Sequence, residues 1–319
     1  SLKLLGGFRL DRETTRSRVV QQSLFAGTYP NPASFGPFAP VIAQINVAVG
    51  SFVNQASAAL PAGKQSFSAF LPKAGLLMDW HDDLATSFVV QRGYRSGGLS
   101  TNIARAQGFA YDPEYTWNYQ LSLRALALDG RLRIDANAFY TDWEDQQVSV
   151  NFGLNAFDIH TVNAGRSHLY GFEVEASHQL TREWSLYGAL GHTITKFDSF
   201  SLSQPGVTTS LAGTEFAYAP HWTVSGGMDV RMDNGVRMAL NARYASRAFA
   251  SVGPGQILNR VAPHVIINAR LGYQAARWGI FATANNLFDK VYAIYKSPAE
   301  TRAILNDPRS MGIEFSMRL

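Results

Sequence analysis

Seven histidines are the residues best suited to metal or acid–base chemistry, standing at His81, His160, His168, His178, His192, His221 and His264. None belongs to an H-E-x-x-H or comparable ligand spacing. His160 and His168 share strand parity, yet extended chain at the usual rise separates them by about 26 Å. Cys is absent, which removes disulfides, thiolate metal sites and thiol nucleophiles together. Asp142, Glu144 and Asp145 could gather a Ca²⁺ ion or a lipid-bridging cation, but an acidic run beside a strand end reads more simply as a solvated rim. The glycines at Gly97-Gly98 and Gly253-Pro254-Gly255 precede no helix, so they punctuate loops and do not cradle phosphate. No Ser, His and acid spacing argues a hydrolase. These residues point away from an enzyme, from a bound cofactor and from a metal centre.

The bulk composition narrows the class further. Lys and Arg number 28 against 24 Asp and Glu, a formal charge of +4 over 319 residues. The basic residues are scattered singly, with no cluster to neutralise a phosphate backbone, so nucleic acid is not an expected partner. Hydrophobic residues make up 46% and charged ones only 16%, where soluble domains carry about 25% charged residues. No run reaches the roughly 18 apolar residues that a spanning helix needs. Transmembrane strands alternate apolar with polar residues and escape that test.

The elements that would position any site are strands. Alternation at period two is nearly continuous, as in Met311, Ile313, Phe315, Met317 and Leu319 against Gly312, Glu314, Ser316 and Arg318. About twelve strands follow from such patterns, over 2–20, 64–80, 84–96, 115–128, 131–149, 158–180, 184–198, 214–232, 236–250, 259–274, 278–294 and 309–319. Alternate connections are tight turns, and Asp233-Asn234-Gly235 in particular predicts a hairpin with positive φ at both central residues. The others, including Ser23 to Gly63, are long. That first loop is expected to hold a short helix around Val41 to Ala59, because Val41, Ile45, Val49 and Val53 fall at helical spacing. Short turns on one rim and long loops on the other are the layout of an outer-membrane barrel.

Tryptophan placement supports the same layout. Trp80, Trp184 and Trp278 sit beside short turns, and Trp117, Trp143 and Trp222 lie near the far ends of their strands. About 11 residues on a strand tilted by roughly 45° rise about 26 Å, close to the apolar band of such barrels. Two aromatic girdles are implied. Trp143 is the exception, since its parity sets it with the polar residues. About twelve strands enclose too wide a space for side chains to fill, so the polar face, with Arg133, Asp135, Glu173, Glu175, Arg231, Arg237 and Arg243, is expected inside.

Specific words then recur in order: Gln91-Arg92-Gly93-Tyr94-Arg95-Ser96-Gly97-Gly98, Tyr111-Asp112-Pro113-Glu114, Leu128-Asp129-Gly130-Arg131, Tyr170-Gly171-Phe172-Glu173 and Asn285-Asn286-Leu287-Phe288-Asp289. Over residues 64–319 the sequence resembles the C-terminal half of the barrel of a TonB-dependent outer-membrane receptor of the iron-complex type. It departs from the family's pattern at Gln120, where an acidic residue is usual, and at Leu319, where an aromatic one is.

The resemblance implies an all-β fold, an antiparallel transmembrane barrel of which about twelve strands correspond to the last twelve of about 22. Residues 1–319 would form one C-terminal barrel segment, with the plug domain and N-terminal strands outside this chain, as a start at Ser1 within a strand pattern also suggests. It further implies TonB-energised uptake of a ferric siderophore, partnership with a plug, the missing strands, the TonB-ExbB-ExbD system, lipid and lipopolysaccharide, and residence in the outer membrane of a Gram-negative bacterium. Near the outer rim, Tyr94, Arg95, Arg105, Tyr111, Phe216, Tyr218 and Arg247 combine aromatic surface with positive charge, which suits an aromatic or hydroxamate siderophore. The alternative is a self-contained barrel acting as a passive channel or autotransporter translocator, which would require its first and last strands to pair.

Overall fold

The computed structural model describes residues 1–18, 23–55, 57, 63–154, 157–204, 207–252, 259–296 and 302–317. Twelve long strands form one antiparallel sheet in chain order. They are β1 (Leu2–Ser17), β2 (Gly63–His81), β3 (Leu84–Arg95), β4 (Glu114–Ala127), β5 (Leu132–Glu144) and β6 (Arg166–Gln179). The series continues with β7 (Trp184–Ser199), β8 (Trp222–Arg231), β9 (Val236–Ala245), β10 (His264–Gln274), β11 (Trp278–Asn285) and β12 (Ser310–Met317). Among the described residues no rung joins β1 to β12.

Directly opposed residues of an antiparallel ladder share a face, so register traces each face across the sheet. Leu4 opposes Leu76, Leu76 opposes Phe88, Phe88 opposes Leu121, and Leu121 opposes Ala138. The same row rises through Phe172 and His192 to Trp222, and on neighbouring rungs Leu190 meets Val224, Met228 meets Leu240, and Met238 meets Leu271. It ends where Ala282 meets Ile313 and Ile280 meets Phe315. One apolar belt therefore crosses all twelve strands, and much of it is exposed: Leu4 is 79% and Ile313 80% accessible.

The opposite face is polar. Ser122 faces Asn137, Asn137 faces Glu173, and Arg124 faces Asp135, which faces Glu175. Arg133 and Arg124 both reach Asp135, at 2.6 and 3.5 Å. Further along, Gly272 leaves room on this face for Phe281, whose ring is buried under the Arg270 guanidinium at 3.4 Å. Arg270 is in turn held by Glu314 at 3.1 Å.

Several expected strands are shorter than their sequence patterns. The chain leaves the ladder at left-handed residues, Asp145 (φ 54°) after β5 and Asn286 (φ 50°) after β11. What reads as strand beyond Asp145 is part of a separate small hairpin in the loop, whereas beyond Asn286 residues 287–292 form no strand and the chain is extended again only at Ala293–Lys296, in another such hairpin. The stretch 158–180 divides likewise: Ile159–Asn163 belongs to a loop hairpin and β6 begins at Arg166. His160 and His168 consequently do not share one strand. The Asp233-Asn234-Gly235 turn also differs from expectation. Only Gly235 has positive φ (95°), and its amide donates to the Met232 carbonyl at 3.0 Å, the geometry of a three-residue loop closed by a glycine bulge. Consecutive positive φ values occur instead at Leu128 (55°), Asp129 (55°) and Gly130 (77°).

All six long connections emerge from one end of the sheet, and five carry a short two-stranded ladder of their own. The first instead holds a 3₁₀ turn, Pro32–Phe38, and an α-helix, Ala39–Gln55. The expected helix thus starts two residues early and ends by Gln55; residues 56, 58 and 59 of its expected span lie outside the described residues, as do Gly253 and Leu319.

Candidate ligand-binding loops

The loop after β3 forms a hairpin of Gly98–Asn102 with Gln107–Tyr111, and the loop after β5 one of Gln147–Asn151 with Ile159–Asn163. A polar clasp joins them. Arg105 Nε donates to Asp158 Oδ1 at 2.7 Å and its Nη2 to Oδ2 at 2.8 Å. Asn102 Nδ2 donates to Asp158 Oδ1 at 2.7 Å and lies 3.1 Å from His160 Nδ1. The hydrogen bonds from Arg105, outweighing burial that acts in the opposite direction, hold the Asp158 carboxyl well below the usual carboxylate range. The His160 ring lies between Phe109 and Phe152, stacked at 3.8 and 4.1 Å, and burial pushes its pKa down.

Beneath the clasp, Glu114 is 5% exposed and anchors two elements at once. It pairs with Arg95 at 2.8 Å and accepts the Gln147 amide at 2.6 Å. Beside it the loops bury a small apolar core of Val148, Val150, Ala164, Phe197, Phe200 and Leu211. Phe216 packs on this core, 4.8 Å from Phe197 and edge-on to Trp143 at 6.0 Å. A folded platform results, not a set of independent loops.

The seven rim residues do not converge on one point. Arg95 and Arg105 are engaged with Glu114 and Asp158. Tyr111 packs against Gly98, where a Cβ would lie 2.6 Å from its hydroxyl oxygen. Tyr94 opposes Tyr115 with ring centroids 5.4 Å apart, and its buried hydroxyl has no hydrogen-bond partner among the described residues. Tyr218, at φ 58°, donates its hydroxyl to the Lys296 carbonyl at 3.1 Å; burial pushes this phenol's pKa up. Arg247 alone of the three arginines makes no ion pair among the described residues, and it borders a hollow with Arg260, His221 and Phe249. Asp142 pairs with Arg166 at 2.8 Å, and no group of three His, Asp or Glu side chains is placed to hold a metal ion among the described residues.

The tryptophans divide by face. Trp184 opposes Val230, Trp278 opposes Met317, and Trp117 and Trp222 share the parity of Leu121 and Val224, all on the apolar side. Trp80 donates Nε1 to Thr86, which opposes Leu123 on that side. Trp143 opposes Thr116 and Ser167 on the polar face, as its parity requires. Sequence reading missed the aromatic row in which Tyr119 opposes Tyr140 and Tyr140 opposes Tyr170. Tyrosines at matched heights on neighbouring strands were the available signal. It also missed Asn102, Asp158 and His160, whose grouping depends on contacts between separate loops.

A family described as TonB dependent receptor-like, beta-barrel, matches residues 1–287. Among solved structures, the ferric yersiniabactin uptake receptor FyuA from Yersinia pestis is similar at 21% identity over 80% of this chain and 38% of its own, with a TM-score of 0.65. The ferric-catecholate import receptor Fiu from E. coli K12 is similar at 17% identity over 99% of this chain and 42% of its own, with a TM-score of 0.68. The copper transporter OprC gives 15%, 99%, 45% and 0.68. At such identities the likeness concerns the fold, and the chain spans less than half the length of each of these proteins.

Proposed function

We propose that this chain, which belongs to the TonB-dependent receptor β-barrel family, supplies the last twelve strands of an outer-membrane receptor that imports a ferric siderophore or similar iron complex. The chain is accordingly an outer-membrane protein of a Gram-negative bacterium. The observation that carries the reading is the single apolar belt across twelve strands whose long loops all leave one end. In hydrocarbon an open sheet edge is intolerable because each unpaired backbone group costs several kcal/mol, so β1 and β12 would pair with further strands of a barrel of about 22. The apolar belt then faces lipid and the polar face lines the lumen.

That lumen wall holds, beside the ion-paired Arg124, Arg133 and Asp135, the five charges Glu173 and Glu175 on β6 and Arg231, Arg237 and Arg243 on β8 and β9. None of these five makes an ion pair among the described residues. Such a wall suits a plug domain with complementary charges, whose movement under force from the TonB-ExbB-ExbD system would open the path. The loop platform would receive the substrate, with lipid and lipopolysaccharide around the aromatic rows. No covalent step is involved. A self-contained passive channel would need β1 bonded to β12, and nothing on these strands favours it.

The test is growth under iron limitation. Cells whose receptor contains this chain are given a panel of ferric siderophores, with TonB present or deleted. Growth on at least one that requires both receptor and TonB is expected; receptor-dependent uptake that persists without TonB would refute active import.

A further inference from the structure

The arginines in the long loops and at the strand ends that meet them are in two different situations. Arg95, Arg105 and Arg166 each close on a carboxylate, at 2.8, 2.7 and 2.8 Å. Arg247 and Arg260 have no ion pair among the described residues, and Arg260 Nε is buried without a hydrogen-bond partner. Both border the same hollow of about 250 Å³ where the loop after β7 meets the loop after β9.

The local fold explains how they arrive there. Ala248–Phe249 pairs with Arg260–Val261 so that Phe249 opposes Arg260. The guanidinium lies over the Phe249 ring at 5.1 Å, which fixes its plane but offers no acceptor. Arg247 sits one residue before this ladder. Across the hollow, Glu215 is engaged by His221 at 2.6 Å, and Trp222 supplies an apolar wall. Among the described residues, two guanidiniums without an ion pair against one hydrogen-bonded carboxylate leave the hollow positive, and a buried guanidinium Nε without a partner there is a cost that a ligand acceptor would remove.

We propose that this hollow is an oxyanion site, taking one carboxylate or phosphate group between Arg247 and Arg260. The planar fork of donors on arginine matches both groups. The volume is below the roughly 300 Å³ at which pockets hold a whole drug-sized ligand, so it takes an anionic substituent and not an entire iron chelate. The group can come from a soluble ligand or from the phosphate of a lipid, and the site does not depend on the import reading.

Calorimetry on the purified intact receptor at low ionic strength, with citrate and inorganic phosphate as probes, tests it. Saturable binding of at least one probe is expected, weakened at least tenfold in Arg247→Gln/Arg260→Gln and less than twofold in Arg277→Gln on the opposite rim. If the double variant loses its heat-modifiable folded form, Arg247→Gln alone, at an exposed position, should still weaken binding at least threefold. Vesicles containing bis-phosphorylated lipid A will compete for the site if lipid is the source, and dephosphorylated ones will not. Failure of both vesicles to compete, with citrate or phosphate still bound, assigns it to a soluble ligand. Absence of saturable binding of citrate, phosphate and lipid A, or equal binding by wild type and the Gln variants, overturns the proposal.

Discussion

Arg105 and Asp158, 53 residues apart in sequence, meet in a two-pronged ion pair that ties the loop after β3 to the loop after β5. Asp158 is fully buried and Arg105 about one-third exposed. Removing the arginine leaves a buried carboxylate, still hydrogen-bonded by Asn102 and the Leu154 amide, without its counter-charge, which costs more than losing a surface pair. Arg105→Gln should therefore destabilise the clasp locally by about 2 to 3 kcal/mol. Hydrogen exchange at the amides of Gln107–Tyr111 and Ile159–Asn163 should quicken while the β6–β7 ladder stays protected. Unchanged exchange in those hairpins would show that the stacked rings, not the ion pair, hold the loops.

The acid sensitivity of the clasp should come from His160 and not from Asp158. A carboxyl whose folded pKa is depressed stabilises above its unfolded value of about 3.9 and loses that contribution only as pH falls toward the folded one. Asp158 is therefore silent between pH 7 and 5. The depressed His160 imidazole stabilises fully above about 6.5 and progressively less as pH falls through that value toward its lower folded pKa. The protection factors of the amides in the two hairpins, which take out the slower intrinsic exchange at lower pH, should fall from pH 7 to 5. His160→Phe, which keeps an aromatic ring between Phe109 and Phe152, should remove that dependence; its persistence would transfer the effect to another group.

The wall was legible in the sequence and the platform was not, for a physical reason. Period-two alternation and loop length are local, so the parity of Leu121, Met228 and Ile313, and even the misfit of Trp143, follow from the chain itself. The ladders place all three on the belt and Trp143 off it. The clasp depends on Asn102, Arg105 and Asp158 meeting across 53 to 56 residues, and no short pattern specifies that meeting. Arg95 and Arg105 were therefore legible as rim cations, but not as cations already engaged by Glu114 and Asp158.

Topology can be read by proteolysis, provided the protease is chosen with the sequence in view. Between Arg18 and Lys64 there is no charged residue, so trypsin has no site inside that connection. Phe38 and Phe52 are exposed, at 67% and 53%, on the segment that carries the helix. Chymotrypsin added to intact cells should cut within residues 23–63 before it cuts the tight turns of the opposite rim. Cleavage that waits for the outer membrane to be opened would place the long loops in the periplasm.

Adjacent positions on β9 give the sharpest test of which face meets lipid. Met238 opposes Val230 and Leu271 within the apolar belt, while Ala239 opposes Asp229 and Arg270 on the polar face. Arginine in mid-membrane on the lipid side costs about 2 to 4 kcal/mol, whereas at Ala239 it would enter a wet surface beside Asp229. Gly227 has the same parity as Ala239 but is unsuitable as a control. A Cβ there would lie 2.5 Å from both the Leu240 carbonyl oxygen and the Tyr187 hydroxyl oxygen, so any side chain is penalised by packing whichever face meets lipid. In the intact receptor folded into vesicles, Met238→Arg should lower the urea midpoint strongly and Ala239→Arg only slightly. Equal losses at the two neighbours would mean that the belt does not separate lipid from water, and the barrel reading would fall with it.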